Sequence, residues 1–194
     1  MDSKEENRLI KKVQKHNDKN AANVLVAYYY REIYAFTYKQ TVDIELSMDL
    51  TQDIFISALQ SISGYDSKKS KFRTWLYRIA SYKITDYYRS AVYKHCNNQL
   101  NIEETEIKAD INIQELLETK EAVQTVISCI SKMNFETQQI LRLKLFSDYK
   151  FSEISEIISV SENTVKTGYY KALAVLRKEL TNSGYYIPRK KEDR

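Results

Sequence analysis

Almost nothing in this chain can stop a helix. Of its 194 residues only three are Gly and one is Pro, and Pro188 stands near the C-terminus. Gly and Pro are the strongest local breakers of regular structure, so their near absence from Asp2 to Thr181 predicts an all-α protein. A chain of this length supports one large domain or two small ones of about 80 residues each, and two small helical domains fit the pattern better. Sixteen Tyr residues supply flat rings with a hydrogen-bonding tip, a side chain suited to wet interfaces.

The two cysteines, Cys96 and Cys129, are far apart and sit in no C-x-x-C or Cys/His cluster. That spacing suggests neither a disulfide framework nor a metal site, and a reducing cytoplasm is the expected compartment. The N-terminal stretch MDSKEENRLIKKVQKHNDKN has no apolar core of the kind that directs secretion, and no apolar run reaches bilayer-crossing length. No membrane insertion is expected. Formal net charge is only +4, but it is unevenly distributed. Residues 1–95 carry 16 basic and 11 acidic side chains, residues 96–121 carry 2 and 7, and residues 122–194 carry 12 and 8. Two basic blocks therefore flank an acidic middle, an arrangement that favours local contact with a polyanion.

Amphipathic segments run from Glu6 to Val13 and from Ala21 to Tyr38, followed by DLTQDIFISALQSI and KFRTWLYRIASYKITDYYRS. The polar, basic tract Gly64 to Lys71 between the last two reads as a loop. The tract HCNNQLNIEETEIKAD has weak periodicity and reads as a flexible tether. Helical pattern resumes at Ile113, and Asn134 is placed to cap ETQQILRLKLF. The expected organisation is a first domain over 1–95, a flexible acidic linker over 96–112, a second domain over 113–180 and a disordered basic tail over 181–194.

Within the second block, FSEISEIISVSENTVKTGYYKALAVLRKEL divides into two helices at Ser159, Val160 and Ser161. Ser161 stands at the N-cap, while Val160 and Val165 hold the positions of a hydrophobic staple. At about 100° per residue, Val165, Tyr169, Ala172 and Leu176 share one face, set to pack on Ile154, Ile157 and Ile158. Asn163, Lys166, Thr167, Tyr170 and Lys171 share the other. This is a helix-turn-helix whose outward amide, hydroxyl and ammonium groups suit the edges and phosphates of a DNA major groove.

Lys71 to Ser90 crowds six aromatic residues and five Lys or Arg around a single acid. The same rotation gathers Leu76, Ala80, Ile84 and Tyr87 on a core face with Tyr77 at its margin. Trp75, Arg78, Tyr82 and Arg89 gather opposite, within a wedge of about 60°. Rings alternating with cations form a surface for unstacked bases, each stacked base contributing roughly 1–3 kcal/mol. A Trp75 buried beneath a neighbouring helix is the other reading of the same wheel.

In order along the chain, DLTQDIFISAL, a basic loop, FRTWLYRIA and DYYR resemble region two of the extracytoplasmic-function (ECF) sigma factors, and FSEISEIISVSENTVKTGYYKAL resembles their region four. The resemblance runs from Leu9 to Leu180. It implies that the partners are RNA polymerase core and promoter DNA, with control by an anti-sigma factor or by regulated synthesis. Asp49, Leu50, Gln52, Asp53 and Phe55 fall in the family's contact with the clamp helices of the largest polymerase subunit. The loop Tyr65 to Ser70, with Lys68, Lys69 and the adjoining Lys71, matches the segment that pockets a flipped base of the minus-ten element. Trp75, Arg78, Tyr82 and Lys83 match the segment that meets DNA where its strands part, and the helix from Glu162 matches the reader of the minus-thirty-five element. Tyr82 stands where many members carry Asn, Ser159 replaces the usual turn Gly, and Gly168 replaces a common Arg; Gly168 is expected to be tolerated rather than required.

A conventional helix-turn-helix repressor or activator would account for residues 148–180, but not for DLTQDIF or the Trp75 face. An enzyme is not expected: there is no phosphate-binding Gly loop and no metal-ligand cluster, and with His only at 16 and 95 there is no catalytic His constellation. No cofactor is expected.

Overall fold

The computed structural model describes residues 1–95, 120–147 and 149–184. The linker expected over 96–112, the start of the second domain at 113–119 and the tail beyond 184 lie outside the described residues. All regular structure among the described residues is helical. Contacts divide the chain into two compact units, one spanning Met1–Ile84 and the other beginning at Thr85.

The first unit is built from α1 (Ser3–His16), α2 (Lys19–Thr41), α3 (Ile44–Ser61), a 3₁₀ turn (Ile62–Gly64) and the first half of α4 (Phe72–His95). An aspartate starts each of the first three helices. Asp2 accepts hydrogen bonds from the backbone N–H groups of Lys4 and Glu5, Asp18 from Ala21, and Asp43 from Leu46. Each cap satisfies an N–H that would otherwise lack a partner, contributing about 1 kcal/mol. With so little Gly, two helix ends place other residues in the left-handed region: Asn17 closes α1 at φ 48° and Val42 closes α2 at φ 49°. Asn adopts this conformation readily, whereas a β-branched Val is strained there.

α2 packs against both α1 and α3. Leu25, Ile33 and Phe36 of α2, Leu50 and Ile54 of α3, and Leu76, Ala80 and Ile84 of α4 are buried. Each large aliphatic removed from water in this way contributes roughly 1.5–3 kcal/mol before entropy is counted. α4 is tied to α2 by rings and charge. Phe36 meets Tyr77 at 5.1 Å, Tyr29 meets Phe72 at 5.5 Å, and Arg73 pairs with Glu32 at 2.5 Å.

The second unit contains the second half of α4 together with α5 (Lys120–Ser131), α6 (Phe135–Ser147), α7 (Phe151–Ile158) and α8 (Glu162–Asn182). α6 begins at the expected cap, where Asn134 Oδ1 accepts from the Thr137 N–H at 2.9 Å. α8 touches the other three helices, and its Val165, Ala172, Leu173, Leu176 and Leu180 are buried with Ile130, Ile140, Leu141, Ile154 and Ile157. α8 is therefore fixed along one side by the core, which determines what its opposite side presents.

Candidate nucleic-acid interface

α3 sorts its residues by rotation. Leu50, Ile54 and Phe55 turn inward, while Asp49, Gln52 and Asp53 are exposed. Of the five positions expected to meet polymerase, three thus offer polar groups to a partner, and Leu50 and Phe55 hold the helix in place. Phe55 also stacks with Tyr30 of α2, their centroids 6.2 Å apart, and Tyr30, Tyr34 and Tyr38 continue as a stacked ladder along α2. The sequence reading missed this ladder. Its signal was present as tyrosines four residues apart, which share a helix face.

After the 3₁₀ turn the chain enters the loop that joins α3 to α4. Asp66 organises it, its carboxylate accepting from the Lys68 N–H and its carbonyl from Lys69 and Ser70. Lys68, Lys69 and Lys71 are exposed on the outside of this turn. Tyr65 is buried, and its hydroxyl donates to the Ser70 carbonyl at 3.0 Å. Burial first, then the charges of Glu6 and Asp66, push the Tyr65 pKa up to about 12. From α1, Gln14 Nε2 donates to the carbonyls of Ile62 and Tyr65, each at 2.8 Å. Nothing in the local pattern around Gln14 marks it as the brace of a loop about fifty residues away.

α4 corrects the wheel in two places. Leu76, Tyr77, Ala80 and Ile84 are buried as read, but Tyr87 is 36% exposed and does not belong to the core. Trp75 is half-buried rather than free. Its ring lies 5.3 Å from Tyr65 and 5.4 Å from Phe72, which themselves meet edge-on at 5.4 Å. Trp75 is thus one wall of a three-ring cluster that seats the loop, and only part of its surface faces outward. Arg78 and Arg89 are exposed, Lys83 is half-buried, and Tyr82 is 53% exposed.

The helix-turn-helix has the predicted turn. Ser159 closes α7 in the left-handed region at φ 60°, which explains why a Gly suits this place: a side chain there costs about 1 kcal/mol or more. Ser155 Oγ locks the turn by donating to the Val160 carbonyl at 2.6 Å, and Ser161 Oγ caps α8 by accepting from the Thr164 N–H at 3.1 Å. Tyr169 leans on Phe151, ring to ring at 5.3 Å, and burial pushes its pKa up to about 12. Asn163, Lys166, Thr167 and Tyr170 are exposed on the other face, with Lys171 half-buried at its edge. Lys166 pairs with Glu162 one turn earlier, at 2.7 Å. An exposed pair of this kind is weak and easily exchanged for a phosphate.

At Gly168, expected to be tolerated rather than required, there is little room for a side chain. A methyl group added there would meet the buried Ile140 Cδ1 at 3.1 Å, tighter than ordinary contact. The end of the Ile140 side chain on α6 occupies the space beside this residue.

Among the described residues, no cluster of His, Cys, Asp or Glu could hold a metal ion, and no helix is long and apolar enough to cross a membrane. A two-unit helical protein with an aromatic and basic helix that begins in the first unit and a capped helix-turn-helix in the second defines a class that handles DNA. Sigma-70 region 2 matches residues 25–93, and Sigma-70 region 4 matches residues 124–176. RNA polymerase sigma factor YlaC of Bacillus subtilis (strain 168) is 31% identical over 170 residues, spanning 87% of this chain and 96% of that protein. ECF RNA polymerase sigma factor SigW of the same strain is 29% identical over 180 residues, spanning 88% and 94%. The solved structure of CnrH in complex with the cytosolic domain of CnrY shares the fold, with a TM-score of 0.58 at 17% identity over 92% of this chain and 98% of that one. The chain belongs to the sigma-70 family, as an alternative RNA polymerase sigma factor of the ECF type.

Proposed function

We propose that this chain binds RNA polymerase core through the outward face of α3 and delivers it to promoters that its two units read separately. In this reading residues 1–95 bind polymerase and open the minus-ten element, residues 113–180 read the minus-thirty-five element as duplex, and 96–112 tether the two. The chain works in the cytoplasm, where polymerase is, and is controlled by an anti-sigma protein or by regulated synthesis. The observation that carries the reading is the pairing, in family order, of two different DNA-facing surfaces. One is a ring-and-cation surface on α4, the other an amide, hydroxyl and cation surface on a capped α8.

The two surfaces suit different states of DNA. On α8, Asn163 and Thr167 can bond to base edges in an intact major groove while Lys166 and Lys171 neutralise phosphates. On α4, Tyr82 offers a π-face to a base that has left its stack, and Arg78 and Arg89 hold the backbone on either side. Binding upstream duplex and capturing downstream single strand together would lower the free energy of the opened promoter relative to the closed one. Asp49 and Asp53, one helical turn apart, present paired negative charge to a basic partner surface.

The test is reconstitution. The purified chain is added to bacterial core polymerase, and transcripts are mapped on genomic DNA from the source organism. Promoter-directed transcripts that depend on the chain are expected, and the Asp49→Arg, Asp53→Arg double variant should lose core binding in a pull-down while keeping its helical circular dichroism. A chain that leaves core polymerase unselective, or a double variant that binds as well as wild type, would overturn the assignment.

A further inference from the structure

In α1, Glu6, Ile10 and Gln14 are spaced four residues apart and so share one row along the helix. Ile10 is buried, and the polar residue on each side of it is connected to the loop that joins α3 to α4. Gln14 is connected directly. Its Nε2 donates to the carbonyls of Ile62 and Tyr65, 48 and 51 residues away in sequence. The Ile62 carbonyl also accepts from the Tyr65 N–H at 3.1 Å, so the turn that enters the loop is closed by its own backbone and pinned to α1 by a single amide. Glu6 is connected through rings: its carboxylate accepts from the Tyr29 hydroxyl, Tyr29 meets Phe72, and Phe72 meets Tyr65 edge-on. The hydrogen bonds made by Asp66 and by the Tyr65 hydroxyl close the loop on itself, whereas those of Gln14 join it to a helix packed on α2.

We propose that Gln14 is a positioning residue for promoter opening: by fixing Ile62 and Tyr65 it sets where the loop presents Lys68, Lys69 and Lys71, and it steadies the ring cluster of Tyr65, Phe72 and Trp75 at the start of α4. The inference rests on the sigma-factor reading above and adds to it α1, a helix given no part there in contact with polymerase or DNA. The physical reason is the population of competent loops. A surface loop samples many conformations unless something holds it, and the apparent affinity for a strand falls in proportion to the fraction of molecules whose loop is already in place. Two hydrogen bonds from a packed helix raise that fraction before DNA arrives. Gln suits the task because one neutral NH₂ group has two hydrogens and two carbonyls accept them; a carboxylate of the same size would repel both.

The experiment uses the full chain with core polymerase on a promoter that the wild-type chain selects. Gln14→Met keeps an unbranched side chain of similar bulk but has no donor, and Gln14→Lys restores donors on a stem long enough to meet both carbonyls. Permanganate reactivity of promoter thymines should fall roughly tenfold in Gln14→Met, as expected for two lost neutral hydrogen bonds, while core binding and upstream-duplex affinity stay at wild-type values. Gln14→Lys should recover most of the opening. Trp75, the chain's only Trp, gives a second readout beside Tyr65: acrylamide quenching of its fluorescence in the free chain should rise in Gln14→Met and return in Gln14→Lys. Wild-type opening by Gln14→Met would overturn the proposal. So would a Gln14→Lys chain as defective as Gln14→Met, because donors would then not be what matters. A Gln14→Met chain that loses helical circular dichroism or core binding together with opening would also overturn it, since Gln14 would then hold the unit together rather than place the loop. If the wild-type holoenzyme selects no promoters, the sigma-factor reading itself fails, an outcome visible without any Gln14 variant.

Discussion

α4 and α8 both interleave tyrosines with lysines and arginines, yet they spend those rings differently. On α8 the two rings differ in exposure as their rotation predicts: Tyr169 packs half-buried on Phe151 at 5.3 Å, while Tyr170, 6.1 Å from the same ring, is 43% exposed beside Lys166 and Lys171. On α4 the division changes along the helix. At its start Phe72 and Tyr77 are buried and Trp75 is held in the cluster with Tyr65 and Phe72; further along Tyr82 and Tyr87 stand in solvent. The difference lies in what surrounds each helix. α8 meets the rest of its unit along one side, so rotation alone sorts its residues. The start of α4 meets α2 on one side and its own preceding loop on another, so a residue that rotation places outside can still be covered. A helical wheel gives the direction of a side chain and not the number of neighbours waiting there.

The largest expected effect separates two rings that the sequence placed together. Trp75→Ala should cost about 3 kcal/mol of stability in urea unfolding, the low end for Trp truncation because the ring is half-buried. Tyr82→Ala should change stability by less than about 0.5 kcal/mol and instead suppress permanganate reactivity of promoter thymines. If Trp75→Ala unfolds like wild type and loses only promoter opening, α4 is a stacking surface throughout and the contrast with α8 disappears.

A smaller effect sharpens the α8 side. Lys166→Ala should weaken binding to the upstream duplex by about 1 kcal/mol, close to fivefold, and reduce the magnitude of the salt slope by about 1, as expected for one lost phosphate contact. Its ion pair with Glu162 is exposed, so the melting temperature should stay put. An unchanged salt slope would mean that Lys166 remains with Glu162 and that the duplex is met by other cations.

The smallest effect concerns Gly168. Alanine gains about 1 kcal/mol of helix propensity, but its methyl group must displace Ile140, and overpacking a core costs about 1–3 kcal/mol. The expected outcome is a net loss of less than about 1 kcal/mol with upstream-element affinity unchanged. A clear rise in melting temperature would show that Ile140 yields freely and that the close approach has no structural weight.

Much of this protein was fixed by information local to the chain. Sparse Gly and Pro, aspartate and serine caps, and a 3.6-residue apolar period are written in adjacent residues, so the helical class, the caps at Asn134 and Ser161 and both faces of α8 could be read directly. The ordered motifs carried the family in the same way, because each is a contiguous string. What required the tertiary structure were relations between residues far apart in sequence. Gln14 braces a loop about fifty residues downstream, Tyr65 and Phe72 enclose Trp75, Ile140 crowds Gly168, and Ser57 and Gln60 come to face Tyr82 across a groove. Helix propensity and capping act within about one turn, so a sequence states them outright. Burial and cross-helix contact depend on how several helices are brought together, and no single segment contains that information.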